Sequence, residues 1–242
     1  MHSTLSYQFQ RGVFSGIERL NALFSRVGDS PFIGTDKFSW IPTMEANIGI
    51  IQQELQAIIH VVALPSIQDI SPDQQVLTTD DKWKVFGFYF CGHKAEHNCH
   101  QCPQTAALLK TIPGLKSAMF SVLAPQKHIP AHRGVYNGML RYHLGLQIPE
   151  NDRQCGINVG GETRYWANGE SLVFNENYQH DAWNFTDFTR VVLIVDFDRP
   201  LYWPFNLLNQ WAIAYIAKTP FVTGAVSNLI TQSSQQVEPI SH

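Results

Sequence analysis

Charge is scarce in this chain: 15% of its 242 residues are Asp, Glu, Lys or Arg, and the formal net charge is -3. With a pI near 6.3 it lacks a basic field for counterion-release binding, so nucleic acid is not an expected partner. It also lacks any apolar run of 18 or more residues, and no spanning helix is predicted. The opening MHSTLSYQFQRG has no continuous apolar stretch after a basic start. Cysteine is limited to Cys91, Cys99, Cys102 and Cys155. Together these point to a reducing, cytoplasmic setting.

Repeats and low-complexity segments are missing too. With 44% apolar residues, one compact domain over 1–242 is expected. Its parts read as a mainly helical stretch (1–65), a β-rich core (83–200) and a C-terminal extension (201–242). In the extension, LYWPFNLLNQWAIAYIAKTPFV mixes aromatic and aliphatic residues with one charge, Lys218. Such a segment packs on a core or lies at an interface, and peripheral membrane contact through 201–222 is the second reading. The polar end, TQSSQQVEPISH, is expected to fray.

What is present is patterned. Ile48, Ile51, Leu55, Ile58, Ile59 and Val62 draw one helical stripe, with Thr43 as its candidate cap and Pro65 beyond its end. CPQTAALLKTIPG predicts a short helix over Thr105–Lys110. Strands are predicted at WKVFGFYF, SAMFSVLA, MLRYHLGLQI, CGINVGG, TRYWA, ESLVF and RVVLIVDF. Asn168-Gly169 between TRYWA and ESLVF predicts a tight antiparallel hairpin. Helices followed by many short strands describe an α+β domain with a sandwich or jelly roll buttressed on one face.

Two groups of side chains invite chemistry. CGHKAEHNCHQC sets Cys99-x-x-Cys102 beside His93 and His97, a sparse form of a zinc pattern for which a polar reduced loop is the plainer reading. His132 in HIPAHRG and His180 in NENYQHDAWNF lie near strand edges outside any apolar stripe. Imidazole suits divalent iron, and an oxygenase needs few protein ligands so that co-substrate and dioxygen find open positions. The usual carboxylate two residues after the first histidine is replaced here by Gly134. His128 is an alternative ligand, although Pro130 excludes the helix on which a four-residue spacing would clasp a metal. His60 reads as a helix-surface residue.

From FSVLAPQKHIPAHRG through LRYHLGL to NENYQHDAWNFTDFTRVVLIVDFDRP, about residues 40–200, the chain resembles the aspartyl/asparaginyl β-hydroxylase family of iron(II) and 2-oxoglutarate oxygenases. That family includes bacterial hydroxylases of lipid A acyl chains. The resemblance implies a double-stranded β-helix, cupin-like fold with N-terminal helices against one sheet. It implies His132 and His180 as the metal ligands, and a glycine at Gly134 that protein-hydroxylating members share. Arg190 matches the arginine for the distal carboxylate of 2-oxoglutarate, Ser121 its hydrogen-bonding partner, and Trp83 a wall of the pocket. Arg141 and His143 match the pair near the metal-bound carboxylate; one residue apart on a strand, they share a face. The implied cofactors are Fe(II), 2-oxoglutarate as co-substrate and dioxygen, with succinate and carbon dioxide as co-products.

The substrate expected is a lipid acyl chain or a small or peptidyl amino acid. Protein-hydroxylating members grip an acidic side chain with an arginine where Met139 stands here. An unpaired carboxylate would cost a few kcal/mol, which disfavours an aspartyl substrate. Lipid-directed members, in turn, can carry an aspartate at the place of Gly134. Competing readings are a non-catalytic jelly-roll binding module and a zinc hydrolase using His132, His180 and water.

Overall fold

The computed structural model describes residues 14–150 and 153–235. The strands are β1 (Phe32–Ile33), β2 (Trp83–Phe90), β3 (His93–Lys94), β4 (Leu115–Leu123), β5 (Lys127–His132), β6 (Met139–Gln147), β7 (Cys155–Val159), β8 (Glu162–Tyr165), β9 (Ser171–Phe174), β10 (His180–Asn184) and β11 (Arg190–Asp198). They form a seven-stranded sheet, ordered β1-β9-β6-β11-β4-β2-β3, and a four-stranded sheet, ordered β5-β10-β7-β8. The chain changes sheet between β4 and β5, β5 and β6, β6 and β7, β8 and β9, β9 and β10, and β10 and β11. This winding of antiparallel strands is the double-stranded β-helix, an α+β cupin-like fold.

Burial of both faces explains why β11 reads as an almost unbroken apolar run. Val191, Leu193, Val195 and Phe197 point outward into a core shared with the helices. Val192 and Ile194 point inward to a second core between the sheets. Arg190 and Asp196 share that inward parity, and this places polar groups inside the sandwich.

The helices are α1 (residues 14–23), α2 (Ile41–Ala46), α3 (Ile48–Ile59), α4 (Ile67–Ile70), α5 (Glu96–Gln101), α6 (Pro103–Leu109), α7 (Phe205–Ile216) and α8 (Pro220–Gln235). On α3 the predicted stripe buries Ile51, Leu55 and Ile58 against the outer face of the larger sheet. Glu54 on the same helix accepts the backbone N–H groups of Gln104 and Thr105, both at 2.8 Å, and so caps the start of α6. His60 is exposed at the end of α3.

Four expectations are corrected. Thr43 lies within α2, and the cap position of α3 is Asn47. Asn168-Gly169 makes no hairpin, because β8 pairs with β7 in one sheet and β9 with β6 in the other. Only Gly169 of the two has positive φ, at 81°, whereas a type I′ turn needs both. Asn168 instead receives Ile148 N–H at 2.8 Å and donates to Ile148 O at 3.2 Å, which pins the crossover onto the end of β6. The Cys99-x-x-Cys102 pair faces the core, with the sulfurs nearest Phe88 O (3.6 Å) and Glu54 O (4.0 Å). Burial pushes these thiols up to about 11 and about 12, and among the described residues they belong to no group of three or more His, Cys, Asp or Glu that could hold a metal. The C-terminal segment expected to fray is helical as far as Gln235; residues 236–242, like the stretch 1–13, lie outside the described residues.

Candidate active site

His132 and His180 come from separate strands of the smaller sheet and meet as a cross-strand pair, with ring centroids 4.1 Å apart. A bulge makes this possible. His128 pairs with Trp183 and Ile129 with the inward Ala182, yet three residues beyond Ile129 His132 stands opposite His180. The extra residue on β5, beside Pro130, turns His132 inward although it is four residues from the outward His128. Pro130 is tolerated because β5 is an edge strand. His128 reaches Asp181 at 3.2 Å and takes no part in the pair.

Each ring of the pair is tied in the same way. Nδ1 of His132 contacts Pro130 O and Nδ1 of His180 contacts Tyr178 O, both at 2.9 Å. A carbonyl only accepts, so Nδ1 carries the proton and the lone pair resides on Nε2. Burial holds both imidazoles neutral, His180 at about 3 through its desolvation and the neighbouring His132. Two neutral imidazoles with fixed tautomers are a fitting half of an iron site.

No side chain at position 134 could share this space. A Cβ on Gly134 would lie 2.6 Å from Cγ of Glu176, whose carboxylate is buried there and binds Arg141 at 2.8 Å. Arg141 also binds Asp196 through two hydrogen bonds of 2.7 and 2.9 Å. The fork expected at the metal-proximal end of the co-substrate is thus closed on two protein carboxylates. Burial raises Glu176 to about 7 against the opposing pull of Arg141.

Beyond His180 the inner face of the larger sheet carries a second polar group. His143, on the same side of β6 as Arg141, is buried with neither ring nitrogen hydrogen-bonded. Burial and the two flanking arginines keep it neutral. Arg190 opens β11 with Nε unsatisfied, the Cys155 thiol beside it, one long contact to Ser121 O at 3.5 Å, and its guanidinium 4.6 Å from the Trp166 ring centroid. Desolvation lowers Arg190 to about 10, and among the described residues no carboxylate pairs with it. Trp83 donates Nε1–H to Ser121 Oγ at 3.0 Å and fixes that hydroxyl on the wall.

Three contributors were not found from sequence. Trp166, at the crossover after β8, stacks on His143 at 5.8 Å and leaves its own Nε1 unsatisfied. Glu176 and Asp196 were not singled out either, since their partner Arg141 lies on another strand. Beside the histidines, a polar cleft of 390 Å³ is lined by Asp29, Arg133, Asn137, Asn175, Asn177, Tyr178 and Gln179; Arg133 and Gln179 are chain neighbours of the pair.

The sequence profile described as aspartyl/asparaginyl beta-hydroxylase matches residues 45–200. The chain belongs to this family. Its relatives include an ornithine lipid ester-linked acyl 2-hydroxylase of Rhizobium tropici, 41% identical over 223 residues, 91% of this chain and 79% of that protein. The aspartyl/asparaginyl beta-hydroxylase of Mus musculus is 33% identical over 134 residues, covering 53% of this chain but 18% of the mouse protein. Among solved structures, the cupin domain of Schizosaccharomyces pombe Cnp3 aligns over 57% of this chain and 76% of that one, at 8% identity and a TM-score of 0.36. Family membership makes the chain a hydroxylase.

Proposed function

We propose that this hydroxylase uses iron(II), 2-oxoglutarate and dioxygen to oxidise a C–H bond of a lipid acyl chain. The observation that carries the cofactor reading is the set of buried polar atoms without a partner: Arg190 Nε, both nitrogens of His143, one a donor and one an acceptor, and Trp166 Nε1. Buried polar groups in a folded protein have partners, and unpartnered ones clustered beside two neutral imidazoles call for a polar anionic ligand. A five-carbon diacid supplies one. Arg190 and the hydroxyl of Ser121 would receive its distal carboxylate, and His143 would hydrogen-bond along its length. His132 and His180 would hold the iron, which when bound supplies the oxidising power. Trp83 and Trp166 would wall the bound diacid and exclude water from it.

Two observations support a lipid over an aspartyl side chain. The match to the ornithine lipid hydroxylase runs through 91% of this chain. Met139, where a cation would grip an acidic target, lines a crevice with Ile213 and Ile216, and the Lys116 ammonium on its rim is taken up by Asp198 at 2.8 Å. The deciding experiment incubates the protein with ferrous iron, 2-oxoglutarate, oxygen and an ornithine lipid. Succinate formation with a lipid product heavier by one oxygen atom is expected. No succinate with this or other acyl lipids, or with peptide and amino-acid substrates, would leave a binding module; activity restored by zinc without oxygen would indicate a hydrolase.

A further inference from the structure

Helix α7 has a face that its packing does not explain. Asn209 and Ala212 are buried on one side; Asn209 accepts Tyr136 O–H at 2.7 Å and donates to Gly138 O at 2.8 Å, which fixes how the helix is rotated. Leu207 and Trp211 consequently stand outward at four-residue spacing, with exposures of 54% and 55%, and Tyr202 and Trp203, in the segment that leads into the helix, are 57% and 78% exposed. Scattered exposed apolar residues are ordinary, but four large ones gathered at the start and outer side of a helix whose rotation is fixed by buried hydrogen bonds are not.

The chemistry of this group favours one occupant. From Arg199 to Gln235 the chain contains no Asp or Glu, and its charges there are Arg199 and Lys218. Arg199 is buried against Asp29, whereas Lys218 is exposed just past α7 and exposed Arg26 lies 5.9 Å from the Tyr202 ring centroid. Tryptophan and tyrosine with flanking cations and no acid match the headgroup boundary of a phospholipid bilayer. The inner side of the same helix adds continuity with the site. Ile213, Ile216 and Ala217 line a crevice with Met139, Cys91 and the Asp198-paired Lys116, and Met139 has the strand parity of Arg141 and His143.

We infer that α7 docks this protein on a bilayer surface, bedding Trp203, Leu207 and Trp211 among the lipids while Lys218 and Arg26 meet phosphates. The route by Met139 to the site rests on the lipid reading above; the docking surface itself does not need it. The test is flotation of the full chain with phosphatidylcholine and phosphatidylglycerol vesicles, against the double variant W203S/W211S with matched circular dichroism. The wild type floats, and its tryptophan emission is quenched by brominated acyl chains; the variant binds at least about tenfold more weakly. No flotation, equal flotation by the variant, or a wild-type dimer in sedimentation that the variant dissolves would overturn the inference. Hydroxylation of detergent-dispersed lipid without vesicle binding would sink the docking and keep the function. Vesicle binding without succinate from any lipid would do the reverse.

Discussion

Among the described residues three arginines point into this fold, and two of them meet carboxylates. Arg141 is held by Asp196 and Glu176, and Arg199 by Asp29 at 2.9 Å. Arg190 meets a thiol, a tryptophan face and a distant carbonyl. A desolvated guanidinium without an anion is unfavourable in the free protein and preorganised for a bound one. Arg190→Met should therefore raise the KM for 2-oxoglutarate roughly ten- to hundredfold, as loss of about 1.5–3 kcal/mol of charge-assisted hydrogen bonding implies, with a smaller effect on kcat. An unchanged KM in steady-state succinate assays would remove Arg190 from the co-substrate site. Gly134 makes the opposite kind of residue. Restoring an acid there, Gly134→Asp, drives a Cβ to within 2.6 Å of Glu176. Glu176 is tied to Arg141, so the substitution should destabilise the fold by about 1–3 kcal/mol in urea titration and lower turnover. Gains in both would mean that Glu176 yields its place freely.

At the scale of elements, the decisive feature is the bulge in β5. It separates two histidines that a regular strand would point the same way, sending His132 to the pair and leaving His128 with Asp181. His132→Ala should abolish cobalt(II) binding followed by its visible spectrum, while His128→Ala should stay within about twofold of wild type, as surface substitutions do. Equal losses in both variants would contradict the strand geometry. Much of the framework was legible: seven strand segments lie near their predicted bounds, because aromatic and β-branched residues between turn signals leave little choice. The two strands that carry His132 and His180 were not read as strands. β5 contains Pro130 and a bulge, and β10 buries His180 and Asn184 where pattern reading expects apolar residues. Trp166 was also invisible as a site residue, since its role is set by a crossover that joins His143 and Arg190 from distant strands. The motif histidines and arginines could be named from sequence; the carboxylates that answer Arg141 needed the sheet register.

For the whole molecule, the site is a seam between two sheets. Ser121, His143 and Arg190 belong to the larger, and His132 and His180 to the smaller. A diacid bound across the seam would join the sheets and replace missing partners of buried donors, so its affinity adds directly to folding stability. At about a hundredfold excess over Kd the linkage amounts to about 2.7 kcal/mol, or roughly 5–10 °C in Tm for a chain of this size. We expect 2-oxoglutarate with manganese(II) under nitrogen to give a rise of this order in scanning calorimetry, and 2-oxoglutarate alone a smaller one. Arg190→Met separates the causes. Its apo form should melt at or above the wild-type temperature, because a well-packed apolar side chain replaces an unpaired buried charge, while most of the ligand-induced rise disappears. If the variant instead melted well below wild type and kept the full rise, Arg190 would be a structural residue and the diacid would bind elsewhere.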